Sequence, residues 1–186
     1  HAGTTPMRLR HDAGFVAAAI VTEARALALR MGGDQVATCG AIELQPNLIN
    51  VIARKARVTV DLRNTDEAAV QAAEAHMEAF VASLAASEGV TVDARTLARF
   101  EPVEFDPALV DAIHAIAQKR GLRVMRLPSG AGHDAQMFAP HCPTAMVFVP
   151  SVGGISHNVR EFTAPEDLRA GAEVLLQAVL YLANGE

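Results

Sequence analysis

His157 lies on a glycine-containing loop between a predicted strand and a predicted helix. The apolar run at 144–149 is typical of a strand buried on both faces, and helical spacing begins after Thr163. Enzymes of the α/β class place ligand-binding and catalytic side chains on loops at strand ends, because the sheet holds such loops rigidly. The position therefore indicates a functional imidazole. The alternative is a surface histidine in a tight turn.

Arg63 and Asn50 form a second candidate set, thirteen residues apart. Arg63 ends a segment in which apolar and polar residues alternate, and its guanidinium is a planar fork that suits a carboxylate. In a two-stranded hairpin the start of one strand lies beside the end of its partner. We therefore expect both side chains to reach one ligand. A surface arginine with a solvated head group is the alternative.

A glycine-rich turn at 129–132 precedes His133 and Asp134, where a short helix to Phe138 is predicted. Small residues allow backbone amides to approach an anion at the start of a helix. Gly132 and His133 are therefore candidate substrate-binding residues. A glycine-rich turn with no ligand is the alternative, because such a turn is a weak signal.

The histidines do not form a closed metal site in the sequence. None of the seven is part of a His-x-x-x-His or His-x-Asp pair, the spacings expected for such a site. The two cysteines, Cys39 and Cys142, form no C-x-x-C pattern and fit reduced thiols in a cytoplasmic protein.

Composition excludes several classes of partner. The 186 residues are 51% hydrophobic and 20% charged, as expected for one or two globular domains. A net charge of −5 and the absence of a basic run argue against a nucleic-acid partner. Charged residues interrupt every apolar stretch before it reaches membrane-spanning length, so no membrane partner is expected.

The first hundred residues predict an α-β-β-α-β order. Helices are predicted from Asp12 to about Arg30, with Phe15, Ala19, Ile20, Ala24 and Leu27 on the apolar face, and from 64–66 to Ser87. Extended segments are predicted at 36–44, 50–54, 57–63 and 90–94, and Gly40 indicates a bulge or a close approach of backbone in the first of them. This order is that of a split β-α-β unit with an antiparallel sheet.

The remaining residues predict an α-β-α-β-α segment. Asp106 and Pro107 begin a helix that Gly121 closes, and strands are predicted at 122–127 and 144–149. The last helix is predicted to begin with a capping box of Thr163 and Glu166. Two strands cannot complete a sheet, so this segment is expected to be the closing part of a larger α/β domain.

Several motifs in order resemble one enzyme family. They are 129–135 (Ser-Gly-Ala-Gly-His-Asp-Ala), 148–151 (Phe-Val-Pro-Ser), 153–158 (Gly-Gly-Ile-Ser-His-Asn) with Glu161, 1–7 (His-Ala-Gly-Thr-Thr-Pro-Met), 50–52 and 61–63. Together they resemble the amidase/hydantoinase–carbamoylase family of N-carbamoyl-L-amino-acid hydrolases, allantoate amidohydrolases and β-ureidopropionases. That family lies within the larger group of two-metal aminoacylases and carboxypeptidases.

The resemblance implies a domain organisation. Residues 1–102 correspond to a lid and dimerisation domain whose first strand is missing. Residues 103–186 correspond to the C-terminal segment of a two-metal catalytic domain. The family carries most of its metal ligands and a catalytic glutamate upstream, so this chain by itself is expected to bind no metal and to be inactive. A homodimer formed through the lid is expected.

The resemblance also implies roles for individual residues. His157 corresponds to a ligand of one of two divalent ions (Zn, Mn, Co or Ni), and Glu161 is a candidate anchor of its loop. Asn50 and Arg63 correspond to the groups that hold the substrate carboxylate. His1 corresponds to a lid histidine that polarises the scissile carbonyl, supplied by the neighbouring subunit in related dimers.

The function implied is hydrolysis of the non-peptide C–N bond of a small N-carbamoyl or ureido acid. Two alternatives stay open. The chain is a non-catalytic module for dimerisation and ligand docking, or it derives from a related aminoacylase or dipeptidase. Elemental analysis and a carbamoylase assay on this polypeptide, beside a longer parent, would separate the enzyme fragment from the non-catalytic module.

Overall fold

A computed structural model of the chain describes residues 1–185 and separates them into two compact units. The first unit is His1–Pro102, and the second begins at Val103. The architecture is mixed α/β, with small antiparallel sheets in the first unit, as the sequence predicts. Across residues 1–185 no helix is long and apolar enough to cross a membrane.

Two long helices of the first unit begin at aspartate caps. Helix α1 is Ala13–Met31, and the Asp12 carboxylate accepts hydrogen bonds from the backbone N–H groups of Gly14 and Phe15. Helix α2 is Glu67–Glu88, and Asp66 caps it through the N–H of Ala68. An aspartate at this position satisfies N–H groups that have no partner within the helix. Both predicted starts are confirmed.

The segment between the helices is a long antiparallel hairpin with a bulge. Strands β1 (Val36–Thr38) and β2 (Ile42–Gln45) pair with β4 (Asp61–Arg63) and β3 (Lys55–Val58), respectively. Between the two pairings, one side of the hairpin has three residues, 39–41, and the other has two, 59–60. The additional residue on the Gly40 side is a bulge, which confirms that prediction.

Helices α1 and α2 pack on one face of this hairpin and form the core of the first unit. Val16, Ile20, Ala24 and Leu27 of α1 meet Ala73 and Met77 of α2, and all six are buried. Phe15 was expected in this face but is 53% exposed, and its neighbour Val16 is buried instead. The predicted register of α1 was therefore wrong by one residue at its start.

Residues 90–94 do not form the predicted strand. Gly89 ends α2 in the left-handed conformation, the Val90 N–H donates to the Ala85 carbonyl, and the chain continues without strand pairing. Alternation of side chains favours extended backbone, but a strand needs a hydrogen-bonded neighbour. Among the residues described here none pairs with 90–94. Residues 50–54 likewise form a turn and coil instead of the predicted extended segment.

The described part of the second unit has three α-helices: α3 (Pro107–Lys119), α4 (Asp134–Phe138) and α5 (Pro165–Asn184). Asp106 caps α3 as predicted, through the N–H of Leu109. The predicted capping box of α5 is wrong, because Ala164 occupies the N-cap and no side chain caps the helix. Pro165, whose fixed φ suits a first turn, begins this helix.

The two strands predicted in the second unit are not paired. Residues 122–127 and 144–149 carry no strand hydrogen bonds within the described part of the chain, although the Thr144 carbonyl accepts from the Asp106 N–H. Helices α3 and α5 pack together through Ala117, Val174 and Ala178, which are buried. Many apolar side chains of α5 remain half exposed.

Candidate functional site

His1 lies in a closed turn that selects the tautomer of its neutral ring. The Gly3 backbone N–H donates to His1 Nδ1 at 3.1 Å, and the Thr5 N–H donates to the His1 carbonyl at 3.1 Å. A ring nitrogen that accepts a hydrogen bond carries no proton, so the neutral imidazole has its proton on Nε2. His1 is solvent-exposed. The turn therefore leaves Nε2–H as the ring donor of an exposed residue.

The His1 turn and the Asn50 loop are joined by a backbone hydrogen bond. The Ala2 N–H donates to the Asn50 carbonyl at 2.9 Å. Asn50 lies in the loop between β2 and β3, and the Arg54 N–H closes this loop by donating to the Gln45 carbonyl at 2.9 Å. The structure thus brings two predicted site residues together. Their separation along the chain gave no signal of this contact.

Arg63 lies at the other end of the hairpin from Asn50. The pair Gln45 and Lys55 is next to the Asn50 loop, whereas Arg63 pairs with Val36 at the open end. The eight steps of extended chain from Lys55 to Arg63 span about 26 Å. The expectation that one hairpin brings Asn50 and Arg63 to one ligand is therefore wrong within a single chain. The reason is that Asn50 belongs to the connecting loop and not to a strand.

The Arg63 guanidinium is oriented by a bidentate ion pair. Its Nε and Nη2 donate to the two carboxylate oxygens of Asp61 at 2.8 and 2.7 Å. These bonds lower the pKa of the Asp61 carboxyl. The buried Gln35 side chain donates to the Arg63 carbonyl at 3.1 Å and fixes the backbone below. The guanidinium is therefore held in one orientation at the end of a strand.

His157 lies on a rigid loop with its ring exposed. The Val152 N–H donates to the Phe162 carbonyl at 2.8 Å and closes the base of the loop. His157 has a φ of 53°, in the left-handed region, and its N–H donates to Glu161 Oε2 at 2.9 Å. The imidazole is not packed against aliphatic side chains, so the ring is available to a ligand.

His133 uses one ring nitrogen for a structural contact. Its Nδ1 accepts the N–H of Ala135 at 3.0 Å and caps α4, so the neutral ring carries its proton on Nε2. Gly132 has no positive φ, and a Cβ atom there would have no neighbour within 4 Å. Neither backbone strain nor close packing requires this glycine. The substrate-binding roles of both residues stay predictions.

A metal ion would need more ligands than the described residues bring together. Among residues 1–185 no group of three or more His, Cys, Asp or Glu side chains is placed to hold a metal ion. A catalytic zinc site typically has three protein ligands. The exposed imidazole of His157, on its hydrogen-bonded loop, fits the role of one such ligand. It does not form a site by itself.

Sequence reasoning missed the contact of Gly3 with the predicted site residue His1. Its N–H sets the tautomer of His1, and the only signal available was its position two residues after the histidine. A backbone donor cannot be recognised from residue type, because every residue except proline carries one. The contact became visible only with the conformation of the turn.

Comparison with known families and structures gives one result across the chain. The model of peptidase family M20/M25/M40 matches residues 3–181. An N-carbamoyl-L-amino-acid amidohydrolase of Rhizobium meliloti is 39% identical over 184 residues, 99% of this chain and 44% of that protein. An allantoate amidohydrolase of Escherichia coli is 37% identical over 183 residues, 98% of this chain and 44% of that protein. The chain thus spans less than half the length of these relatives.

Solved structures that resemble this chain include amidases of the hydantoinase/carbamoylase family. An amidase of the hydantoinase/carbamoylase family from Burkholderia multivorans has a TM-score of 0.89 at 41% identity, covering 96% of this chain and 43% of that one. A dinuclear metal-binding peptidase of the M20 family from Bacillus subtilis has a TM-score of 0.64 at 17% identity, covering 92% and 46%. The second likeness shows a shared fold alone.

Proposed function

The chain belongs to peptidase family M20/M25/M40, and from this membership we propose that it is the C-terminal part of a metal-dependent amidohydrolase. The complete enzyme would cleave the C–N bond of N-carbamoyl amino acids or ureido acids. Similarity to carbamoylases and allantoate amidohydrolases along nearly the whole chain supports this substrate class. The first unit would be the lid, and the second would close the catalytic domain.

The observation that carries the proposal is the contact between the His1 turn and the Asn50 loop. One backbone hydrogen bond joins the turn that carries the His1 ring to the loop that carries Asn50, which supports a shared role for the two residues. A positioned donor that meets the charge developing on a carbonyl oxygen in the transition state contributes about 3–4 kcal/mol to catalysis. His1 would stabilise this oxygen, and Asn50 would bind the acid end of the substrate.

Arg63 would bind the substrate carboxylate from a second copy of the chain. Within one chain it lies at the opposite end of the hairpin from Asn50, so the two cannot contact one small molecule. A homodimer formed through the first unit would bring Asn50 of one copy to Arg63 of the other. The bidentate pair with Asp61 would hold the guanidinium in one orientation, ready for the incoming carboxylate.

Two divalent ions (Zn, Mn, Co or Ni) would, when bound, activate the attacking water and polarise the scissile carbonyl. His157 would provide one ligand from this chain, held by its loop and by the hydrogen bond to Glu161. The other ligands would come from the part of the enzyme outside this sequence. The 186-residue chain would therefore be inactive alone. The two unpaired thiols, Cys39 and Cys142, support a reducing compartment such as the cytoplasm.

The test compares the complete enzyme with two histidine variants. Ammonia release from N-carbamoyl-L-amino acids and allantoate would be measured with added Zn²⁺, Mn²⁺, Co²⁺ or Ni²⁺. We expect His157→Ala to abolish metal-dependent turnover. His141→Ala is the matched control, because His141 is an exposed histidine of the same unit. A His157→Ala enzyme with unchanged turnover and metal content would overturn the assignment.

Aminoacylase or dipeptidase activity is the second candidate, because the matched family is a peptidase family. The same complete enzyme would be tested on N-acetyl amino acids and dipeptides beside the carbamoyl substrates. Higher kcat/KM on those substrates would favour this candidate. A complete enzyme with no turnover on any of them, and a stable dimer of this chain, would favour a non-catalytic docking module.

A further inference from the structure

Arg10 holds the His1 turn by two hydrogen bonds to backbone carbonyls. Its Nε donates to the Thr5 carbonyl at 3.0 Å, and its Nη2 donates to the Ala2 carbonyl. The side chain is half buried, unlike that of Arg8 two residues earlier, which is exposed. Two nitrogens of one rigid guanidinium therefore fix two points of the turn, three residues apart.

The Ala2 residue connects Arg10 with the Asn50 loop. Its carbonyl accepts from Arg10, and its N–H donates to the Asn50 carbonyl. The contacts within the turn, from Thr5 and Gly3 to His1, shape the turn but do not anchor it to the rest of the unit. Arg10 and Asn50 supply that anchor on opposite sides of Ala2.

We propose that Arg10 is a positioning residue that sets the location of the His1 imidazole relative to Asn50. The inference rests on the proposed function, in which His1 stabilises the developing oxyanion and Asn50 binds the substrate. Within residues 1–185, the side-chain hydrogen bonds of Arg10 go to backbone carbonyls and not to the ring or the amide side chain. Arg10 acts through the backbone of the turn, so its loss displaces the donor without removing it.

The kinetic test uses the complete enzyme and a double-mutant comparison. Arg10→Ala is expected to lower kcat by about 10- to 100-fold, because a displacement of about 1 Å is enough for such a loss. In a His1→Ala background the same substitution should change kcat by less than about twofold, since the group that it positions is gone. Arg8→Ala is the matched control and should stay within about twofold of the unmodified enzyme.

Additive losses from Arg10→Ala and His1→Ala would overturn the inference, because they would show that Arg10 acts independently of His1. An active enzyme that is slowed by His1→Ala but not by Arg10→Ala would also overturn it and leave the proposed function intact. An enzyme without turnover of any carbamoyl substrate would overturn the proposed function and with it the catalytic part of this inference.

A second measurement needs no activity. Backbone ¹⁵N relaxation of the 186-residue chain reports the order of the amides of residues 3–5. In Arg10→Ala their order parameters should fall from about 0.85 to below about 0.6, and in Arg8→Ala they should not change. Unchanged order in Arg10→Ala, with the rest of the spectrum intact, would overturn the anchoring role directly.

Discussion

The backbone N–H of His157 donates to the Glu161 carboxylate, with 2.9 Å between nitrogen and oxygen. His157 has a φ of 53°, a conformation that costs a residue other than glycine about 1 kcal/mol or more. The charge-assisted hydrogen bond to the Glu161 carboxylate offsets this cost. The orientation of the imidazole thus depends on a residue four positions along the chain.

Glu161→Ala should weaken metal binding in the complete enzyme. The loop loses the contact that fixes the His157 backbone, and loss of such a supporting contact lowers metal affinity by about 10- to 100-fold. Metal content after dialysis against a chelator measures the effect. Glu166→Ala is the control, since Glu166 lies in the exposed first turn of α5. Equal metal retention in both variants would contradict the role of Glu161.

Arg63→Ala should mainly raise KM. The lost interaction with a substrate carboxylate is a charge-assisted one worth about 1.5–3 kcal/mol, which corresponds to about 10- to 100-fold in KM. Arg57→Ala is the control, because Arg57 is an exposed arginine on the same hairpin. Steady-state kinetics on one N-carbamoyl-L-amino acid separates KM from kcat. Unchanged substrate affinity in Arg63→Ala would remove the carboxylate role.

At a substrate concentration well below the KM of either variant, mixed dimers should be more active than both parent dimers. If Asn50 and Arg63 bind one substrate from two copies, an Asn50→Ala chain paired with an Arg63→Ala chain retains one intact site. Random mixing gives mixed dimers as about half of the population, and each has one of two sites intact. About a quarter of the unmodified rate is therefore expected. Mixtures no more active than the separate variants would show that the two residues do not share a site across the dimer.

Gly89→Ala should destabilise the first unit more than Gly33→Ala does. Both glycines have positive φ, which disfavours alanine by about 1 kcal/mol. A Cβ at Gly89 would lie 2.7 Å from His11 Nδ1, which bonds the Glu88 carbonyl, whereas one at Gly33 has no neighbour within 4 Å. Loss of the hydrogen bond between His11 and the Glu88 carbonyl adds about 1 kcal/mol to the destabilisation caused by Gly89→Ala. Urea denaturation measures the free energy of unfolding of both variants. Equal losses of unfolding free energy in the two would contradict a role for His11.

The stability of the first unit should depend on Glu23 in a defined pH range. Hydrogen bonds from Arg30 and then from His76 lower the pKa of the Glu23 carboxyl in the folded chain. A depressed folded pKa means that the contribution is present above the unfolded pKa of about 4.3 and is lost as the pH falls through the folded pKa.

Unfolding free energies of Glu23→Gln and the unmodified chain should therefore differ at about pH 6 and converge below about pH 4. Glu78→Gln, a change at an exposed glutamate of α2, serves as the control and should show a smaller difference at pH 6. A gap for Glu23→Gln that stays constant between the two pH values would indicate that the ion pairs with Arg30 and His76 do not stabilise the fold.

Local features of this protein could be read from the sequence. Asp12 and Asp106 cap helices as predicted, and Asp66 caps α2 within the start predicted at 64–66, because a cap is a contact between residues two or three apart. Gly40 marks a bulge, and the glycines before His157 adopt the positive φ that a tight loop needs. The exposed position of the His157 ring also followed from local pattern.

Contacts between distant residues were decided only by the tertiary structure. The register of the hairpin separates Asn50 from Arg63, and the bond from Ala2 brings Asn50 to His1 instead. The predicted strands at 90–94 and 122–127 do not form within the described residues, since a strand requires a hydrogen-bonded partner that the local residue pattern does not supply. The spacing of residues along the chain determines which of them lie in one turn. The pairing of strands and the packing of helices determine which turns lie close enough to form one site.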